Sequence, residues 1–485
     1  MVDQTHLLSK ITYTEVKKSA NVAIYRSLDK AERRELGKWL ESPVHNQRED
    51  VRDLHHYLLG GDRLYKESAL SKTRVWRRLF PDELYDDARM RQTLYFHLKC
   101  VEEYLAYQEW RKDDITPYLA LGTQLRHRRL DRHLTKNLRR LSKLQESGPY
   151  RNEAFFRNEY LLRQEHYTYL ATRQRTKELN LQSVADALDQ AYLIEKLKVG
   201  CRMLFHQTVS KTTYETNMLA EVMKEVEQRD LTHIPALAIY YYILKAIQST
   251  NDDQQYFATL RDTVAEHGKL LPSDDIREVY LMVINLCIPK INARLKAYER
   301  ESFEWYRQGF AEGILTPNNQ ITQYTYMNAV FNALRLGEYD WVAKFLEDYK
   351  EMLDANFRQQ TYLFAKSRLH FSKKEYEETM GILVRIDFND VLYNLLGKTM
   401  LLRIYYEEQE YDALDSLLES FGTYIRRKEL TANHKKNFGN IVRLTRRLAR
   451  LSEFDDKKKR DLTEAVQNAK PLSERAWLLE MLEQK

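Results

Sequence analysis

The sequence predicts an all-α protein built from stacked helical hairpins. Of its 485 residues only 14 are Gly and 9 are Pro, so the residues that tight turns and phosphate-binding loops require are scarce. Apolar residues recur at helical spacing along most of the chain. Aromatic residues make up 12% of it, enough to form a buried core. These observations disfavour turn-rich β folds, α/β nucleotide-binding folds and disorder.

A repeat supports this architecture. Tyr339, Tyr376 and Tyr411 each open a predicted helix, at spacings of 37 and 35 residues. Apolar residues follow seven and ten positions later, namely Leu346, Leu383, Leu418, Tyr349, Ile386 and Phe421. An apolar-periodic helix precedes each Tyr, so each unit is a helical hairpin that buries its apolar face only against a neighbour. At looser spacings of 41 to 42 residues, the equivalent upstream positions are Tyr298, Tyr256 and Tyr214.

The three regular units resemble tetratricopeptide repeats, whose period is about 34 residues. They share the helix–turn–helix layout, a Gly or polar residue before the turn, and an aromatic residue that opens the second helix. They differ in carrying Val342, Thr379 and Leu414 where a small residue is expected, and in lacking the closing Pro. The resemblance covers residues 320–425. It implies a right-handed superhelix whose extended surface holds a protein or peptide.

The chain divides into three predicted domains. Residues 1–120 are a helical N-terminal domain, 121–425 the tetratricopeptide-like repeats, and 426–485 a basic helical C-terminal cap. Within the first, Asp29 and Glu32 have the spacing of a capping box at the start of a helix. The stretch WLESPVHNQREDV resembles the opening of uncharacterised helical proteins of Bacteroidota-type bacteria, a resemblance that implies no activity.

Cysteine usage and hydropathy point to the cytoplasm. Cys100, Cys201 and Cys287 lie far apart and belong to no CxxC or Cys/His pattern, so we expect a reducing compartment and no zinc site. The N-terminus shows no apolar run of signal-peptide length. The longest apolar run, residues 234–244, is about half a membrane span. We expect no membrane partner and no cofactor.

Positive charge is concentrated in two segments. Residues 124–143 hold eight Lys or Arg and one acid, and residues 426–460 hold thirteen and four, so the rest of the chain is at −10 although the whole is at +6. In each segment a predicted helix carries cations on one side and apolar residues, Leu130 among them, on the other. Such stripes suit phosphates or an acidic partner, whereas a solvated helix face is the plainer alternative. The candidate residues are Arg128, Arg129, Arg132, Lys136, Arg139, Arg140, Lys143, Arg443, Arg446, Arg447 and Arg450.

Enzymatic chemistry has little support in the sequence. Two Arg/His pairs, Arg128 with His133 and Arg261 with His267, fit the spacing of HEPN-class ribonucleases, in which Arg would stabilise phosphate and His transfer a proton. Such pairs arise by chance among 77 basic residues and 13 His. The chain has no GxGxxG, GxxxxGK[ST], GxSxG or HExxH motif. We predict a non-catalytic protein.

Two other patterns have plain structural interpretations. Residues 71–105 fit a helix-turn-helix reader with RMRQTLYFHLK as its recognition helix, but Leu94 and Phe96 in that helix are typical of a core. Tyr240, Tyr241 and Tyr242 have the type to stack on bases but lie in an apolar helix. The histidines His55, His56, His97 and His206 have no second ligand at metal spacing.

We therefore expect an interaction scaffold that binds a protein or peptide through its helical-repeat surface, with the basic stripes docking an acidic partner. The alternative is a nucleic-acid-binding subunit whose stripes contact phosphates. The two differ in salt dependence, which is steep for phosphate contacts.

Overall fold

The chain folds into α-helices that pack against their neighbours in sequence. A computed structural model describes residues 16–173, 179–210, 212–248, 254–293, 295–384, 390–452 and 455–485. Within these ranges there are 23 α-helices and no β-strand; one isolated parallel bridge joins Ile321 and Leu353. The predicted all-α class is confirmed. Residues 1–193 and residues 194–485 form two compact units.

The first unit contains two apolar cores. Its helices are α1 (Ala20–Ser27), α2 (Lys30–Glu41), α3 (Glu49–Leu59), α4 (Lys72–Leu79), α5 (Asp87–Lys112), α6 (Thr116–His127), α7 (Asp131–Ser147) and α8 (Glu153–Ala171). One core lies among α1–α5, where α5 packs against α1, α2 and α3 around Tyr25 and Trp76. The other lies among α6–α8, around Leu134 and Leu141. The three predicted domain ranges stay predictions.

In the second unit, helices stack as successive pairs. After α9 (Leu181–Val209), which contains the division between the units, come α10 (Leu219–Gln228), α11 (Pro235–Gln248), α12 (Gln254–His267), α13 (Ser273–Asn292), α14 (Ala297–Ala311), α15 (Gln323–Arg335), α16 (Tyr339–Tyr349), α17 (Arg358–Ser372), α18 (Tyr376–Leu383), α19 (Val391–Glu407), α20 (Tyr411–Arg427), α21 (Ala432–Ala449), α22 (Asp456–Asn468) and α23 (Arg475–Glu483). The first helices of successive pairs also touch, α15 on α17, α17 on α19, and α19 on α21. This packing is solenoid-like, as predicted.

The N-terminal helices begin where local signals place them. Asp29 caps α2, because its carboxylate accepts from the N–H groups of Ala31 and Glu32, and the Glu32 carboxylate accepts from the Asp29 N–H at 2.8 Å. The predicted capping box is confirmed. Pro81 lies in the turn between α4 and α5.

The turn inside each regular hairpin contains one left-handed residue. Gly337, Lys374 and Gln409 have φ of +75°, +61° and +60°, and each stands two residues before the Tyr that opens the second helix. The next N–H reaches back to the first helix, in the pairs Glu338 to Ala333 (3.0 Å), Glu375 to His370 (2.9 Å) and Glu410 to Tyr405 (2.8 Å). This closure satisfies carbonyl groups that the helix end leaves open. The same turn therefore forms with Gly, Lys or Gln at its left-handed position.

The tyrosine after that turn ties one hairpin to the next. The Tyr339 hydroxyl donates to the carbonyl oxygen of Ser372, at the end of α17, at 3.2 Å. The Tyr376 hydroxyl donates to the carboxylate of Glu407, at the end of α19. Tyr411, in the last regular hairpin, is 44% exposed. The repeated aromatic residue therefore has a structural role between hairpins.

The other repeat positions behave as core. Leu346, Leu383 and Leu418, seven residues after each tyrosine, are buried, and so is Phe421. Ile386 lies outside the described residues.

The looser upstream positions fit less well. Tyr298 and Tyr256 lie in the first turns of α14 and α12. The assignment of Tyr214 is wrong, because residues 212–216 are not helical and α10 begins only after Met218, a left-handed residue with φ of +62°.

Three helices, α21, α22 and α23, end the described chain. A core among α19–α23 includes Phe438 and Trp477. The Trp477 indole donates to the Glu407 carboxylate at 2.8 Å, and Glu474 pairs with Arg403 at 3.0 Å. These contacts fasten α23 to α19.

A buried hydrogen-bonded chain joins α1, α3 and α5 in the first core. The Asn21 amide nitrogen donates to the Leu94 carbonyl at 3.0 Å, so its Oδ1 accepts from His97 Nδ1 at 2.7 Å. His97 Nε2 is then the acceptor for the Tyr25 hydroxyl at 3.0 Å, and the Tyr25 oxygen accepts from His55 Nδ1 at 2.6 Å. In this arrangement His97 is neutral, because its Nε2 accepts a hydrogen bond, and both histidines are buried core residues.

Burial lowers the pKa of both imidazoles. The pKa of His97 falls to about 3 and that of His55 to about 4, because burial disfavours the charged form and a second histidine, His55 or His56 respectively, adds repulsion. An unfolded His titrates near pH 6.5, so below that pH the unfolded chain binds more protons than the folded one. The stability that neutral burial confers is complete above about pH 6.5 and is lost as the pH falls toward 4 and then 3.

We expect acid to destabilise the first unit through these two residues. Between pH 7 and pH 5 the free energy of unfolding should fall by roughly 2 kcal/mol per histidine, measured by urea denaturation with tryptophan fluorescence. His55→Gln should lose less stability over this range than the parent chain. The exposed His233, changed to Gln, is the control and should leave the slope unchanged. An identical pH dependence in His55→Gln and the parent chain would contradict this assignment.

Candidate functional site

The first basic segment forms an exposed stripe along α7. Arg132, Lys136, Arg139, Arg140 and Lys143 are exposed. Leu134, Leu138 and Leu141, on the opposite side of the helix, are buried against α6 and α8. The stripe therefore arises because the helix needs only its leucine face for packing.

Two of the predicted stripe residues lie outside this helix. Arg128 caps the end of α6 and Arg129 is left-handed with φ of +55°. The prediction that Arg129 and Leu130 belong to the same helix as the later stripe residues is therefore wrong. The Leu130 N–H bonds back to the Leu125 carbonyl at 3.0 Å, which closes α6, and α7 begins at Asp131. Leu130 is accordingly 43% exposed and does not join the leucine face. Asp131, the single acid of this segment, was the sequence signal for this helix start, because Asp is favoured at a helix N-terminus.

The α7 cations are mostly without counter-charges. The Arg140 guanidinium carbon lies 4.2 Å from the centre of the Tyr118 ring. In the part of the chain that the structure describes, no ion pair forms at Arg132, Lys136, Arg139 or Lys143. These four side chains are available to an external anion.

The second basic segment builds a groove. Helices α20, α21 and α22 enclose about 1060 Å³, and the four predicted residues Arg443, Arg446, Arg447 and Arg450 all line it. They come from one side of α21, whose opposite side buries Ile441, Leu444 and Leu448 in the C-terminal core. The structure thus brings together the whole C-terminal set of candidates.

Neighbouring helices contribute groove residues that the sequence did not single out. Arg426 comes from α20 and Lys458 from α22, and both are exposed. Asp415 and Glu419 of α20 and Asp461 of α22 line the same groove. Arg426 and Lys458 lie inside the basic segment 426–460, so its charge was the signal for them; the acids carried no signal.

The arginines of the groove have few partners. Arg443 donates to the Asn440 side chain at 3.2 Å and Arg426 to the Thr423 hydroxyl at 2.9 Å. Among the described residues, none of the five groove arginines has a carboxylate within 4.0 Å, whereas Lys458 pairs with Asp455 at 2.7 Å. Guanidinium groups left open in this way bind carboxylates or phosphates through two parallel hydrogen bonds.

The groove floor is apolar and contains two glycines. Ile425, Val442 and Leu451 line it and keep 6 to 7% of their surface exposed. A Cβ atom added at Gly439 would meet nothing within 4 Å, and one at Gly422 only the Arg426 side chain at 3.9 Å. The packing of the helices therefore does not require glycine at these positions. Because glycine has no side chain, the groove is deeper there and leaves space for a ligand.

The other sequence candidates gain no supporting geometry. Arg261 pairs with Glu301 at 3.0 Å, away from its nominal partner His267, which lies 3.9 Å from Glu266. His133 is exposed on α7. No group of three or more His, Cys, Asp or Glu residues among those described is placed to hold a metal. That the chain is not an enzyme stays a prediction.

The residues on which the helix-turn-helix and base-stacking alternatives depend are largely packed in the protein interior or paired with acids. Met90, Leu94 and His97 of the nominal recognition helix are buried in α5, and its residues Arg89 and Arg91 pair with acids of the same segment. In α11, two tyrosines of the run at 240–242 are buried.

No family model, curated protein or solved structure matches this chain. The likeness to tetratricopeptide repeats and to Bacteroidota-type helical proteins therefore rests on the residues quoted from the sequence. Across the described ranges, every helix is too short or too polar to cross a membrane.

Substitution of Gly439 should show whether the space above this glycine is open or is filled by packed side chains. Gly439→Ala should raise the free energy of unfolding by about 0.5–1 kcal/mol, because Ala favours an open helix position over Gly. Gly309→Ala is the matched contrast and should lower it by about 1–3 kcal/mol. At Gly309 an added Cβ would lie 2.8 Å from the Leu315 side chain and 2.9 Å from Tyr280. Urea denaturation measures both. Loss of stability in Gly439→Ala would show that the groove floor is closed.

Proposed function

We propose that this chain is a non-catalytic interaction protein that binds an acidic segment of a protein partner in the groove between α20, α21 and α22. The single observation that carries the proposal is the set of groove arginines, which have no carboxylate partner in the described structure. The hairpins α15–α16, α17–α18 and α19–α20 are proposed to be tetratricopeptide-like repeats. Their common left-handed turn supports this, as do the bridging tyrosines of the first two hairpins.

Charge complementarity supports an acidic occupant. Arg443, Arg446, Arg447 and Arg450 repeat on one side of α21, so they face the groove along about 10 Å of helix. Carboxylates on an extended or helical segment can meet successive guanidinium groups at that spacing. A segment seated between the three helices would exclude water from such pairs and so strengthen them relative to pairs on an open helix face.

The remaining lining favours a protein segment over nucleic acid. Asp415, Glu419 and Asp461 would repel a phosphate backbone, whereas basic or polar residues of a peptide can pair with them. The apolar floor at Val442 and Leu451 adds a place for aliphatic side chains that a sugar–phosphate chain lacks. The proposed partner segment is therefore rich in Asp and Glu, with interspersed aliphatic residues and some polar or basic residues that meet the groove acids.

The nucleic-acid alternative is favoured by a different observation, the α7 stripe. Arg132, Lys136, Arg139 and Lys143 are exposed and have no described carboxylate partner. A row of this kind along one helix face suits successive phosphates. The two functions are therefore assigned to separate surfaces and can be tested separately.

Binding should be lost selectively when the groove is reversed in charge. We expect a fluorescent peptide rich in Glu and Leu to bind the full chain in an anisotropy titration. Arg443→Glu with Arg447→Glu should weaken it at least tenfold, because each change replaces an attraction by a repulsion. Arg132→Glu with Arg139→Glu changes the net charge equally on α7 and is the matched control. Equal weakening by both variants, or no binding at all, would reject the groove as the site.

Labelled duplex DNA and single-stranded RNA, titrated at 50 and 200 mM salt, test the alternative. Phosphate contacts predict a log–log salt slope near −0.9 per neutralised phosphate on duplex DNA, and loss of binding in the α7 variant. Steep binding of this kind, without peptide binding, would replace the proposed function by the alternative.

A further inference from the structure

A smaller pocket lies where α15, α17 and α19 end. It encloses about 360 Å³ and is lined by Arg335, Arg368, Lys374 and Arg403, together with Phe331 and Phe371. None of its described lining residues is Asp or Glu. Four cations therefore converge on one concave space in the second unit, apart from the groove arginines.

Arg368 is the most confined of these cations. Its guanidinium carbon lies 5.3 Å from the ring centre of Phe331 and 5.9 Å from that of Phe371. Its Nε atom is buried and has no hydrogen-bond partner. Among the residues that the structure describes, Arg368 makes no ion pair. Arg368 therefore lies against two rings and makes no direct ion pair within the described residues.

Of the other three cations in the pocket, only one pairs with a carboxylate among the described residues. Arg403 lies 4.8 Å from the same Phe371 ring and pairs with Glu474 at 3.0 Å, so its charge is balanced. Arg335 and Lys374 are exposed, and within the described ranges neither pairs with a carboxylate. The pocket therefore contains three unbalanced positive charges.

The surroundings of Arg368 disfavour its charged form. Burial lowers the pKa of Arg368 to about 10; Glu474 opposes the shift, and repulsion from Arg403 and Arg335 adds to it. The group nevertheless stays charged at neutral pH. Arg368 is partly buried, and its buried Nε has no hydrogen-bond partner. A partly desolvated cation of this kind is stabilised when an anion pairs with it.

We propose that the pocket binds the dianion of phosphate or of a phosphate monoester, held by Arg335, Arg368 and Lys374. Guanidinium forks match the oxygens of a phosphate in pairs, and the lysine adds a point charge. Three unbalanced cations favour a dianion over a single carboxylate. This site shares no residue with the groove and stands independently of the proposed function.

Thermal unfolding of the full chain tests the proposal. Inorganic phosphate at 10 mM and pH 7.5 should raise the apparent Tm by about 2 °C over sodium chloride of equal ionic strength, because a ligand of the folded state stabilises it. Sodium acetate should give no rise. Phenyl phosphate and phosphoserine distinguish the source: a larger rise with either assigns the site to an organic monoester, and a rise with inorganic phosphate alone assigns it to the free ion.

Variants locate the effect. Arg368→Met should abolish the phosphate-induced rise while leaving the ligand-free Tm equal or higher, because the unpaired charge is gone and the rings keep an apolar neighbour. Arg335→Met, at an exposed position, should also reduce the rise and does not depend on repacking. The control Arg307→Met removes an exposed arginine that pairs with Glu304 at 2.6 Å, and it should keep the full rise.

The groove variant Arg443→Glu with Arg447→Glu should keep the full rise as well, which separates this site from the groove. A chain that shows no phosphate-induced rise overturns the proposal. So does a rise that survives in both Arg368→Met and Arg335→Met.

Discussion

The contact between one helical hairpin and the next is the interaction on which the second unit depends. A two-helix hairpin has too little apolar area to fold alone, so each pair is stable only against its neighbour. Here that contact has a polar component as well. Tyr339 and Tyr376 stand directly after the hairpin turn, and their hydroxyl groups bond to the ends of α17 and α19. A left-handed residue stands two positions before each of these tyrosines and sets the direction in which the second helix begins. The turn and the tyrosine therefore act together to set the spacing of the hairpins.

This mode of packing explains where charge can collect. A helix in such an array needs one apolar face, and its outer face is free to carry any soluble residue. On α7 that freedom yields an open row of cations above Leu134 and Leu141. On α21 the same pattern has a different outcome, because α20 and α22 rise on either side of Arg443 and Arg447. One sequence pattern thus gives an open surface in one place and a walled groove in the other.

The buried histidines and the partly buried Arg368 respond differently to desolvation. His97 and His55 lose their protons and become neutral members of a chain of hydrogen bonds through Tyr25, so burial leaves no charge behind. Arg368 has no such outlet, because a guanidinium keeps its proton at any physiological pH. Its Nε is left without a partner. The hydrogen bonds of the two histidines are made within the protein, whereas Arg368 in our proposal pairs with a bound phosphate.

The sequence by itself determined the helical class, the succession of paired helices and the faces of the charged helices. Each follows from local periodicity and spacing in the sequence. Examples are the capping box at Asp29, the tyrosines that open α16, α18 and α20, and the leucines opposite the α7 cations. The break at Arg129 was missed because a left-handed closure by a non-glycine residue has no strong signature.

Only the tertiary structure decided which charges find partners. The groove acids Asp415 and Glu419 precede the arginines of α21 by more than twenty residues, and the cations of the phosphate pocket come from three successive hairpins. Helical periodicity gives the side of a helix on which a residue lies, but not the residue that faces it across a packed interface. Electrostatic balance and burial are set by that interface, so they enter only when the hairpins stack.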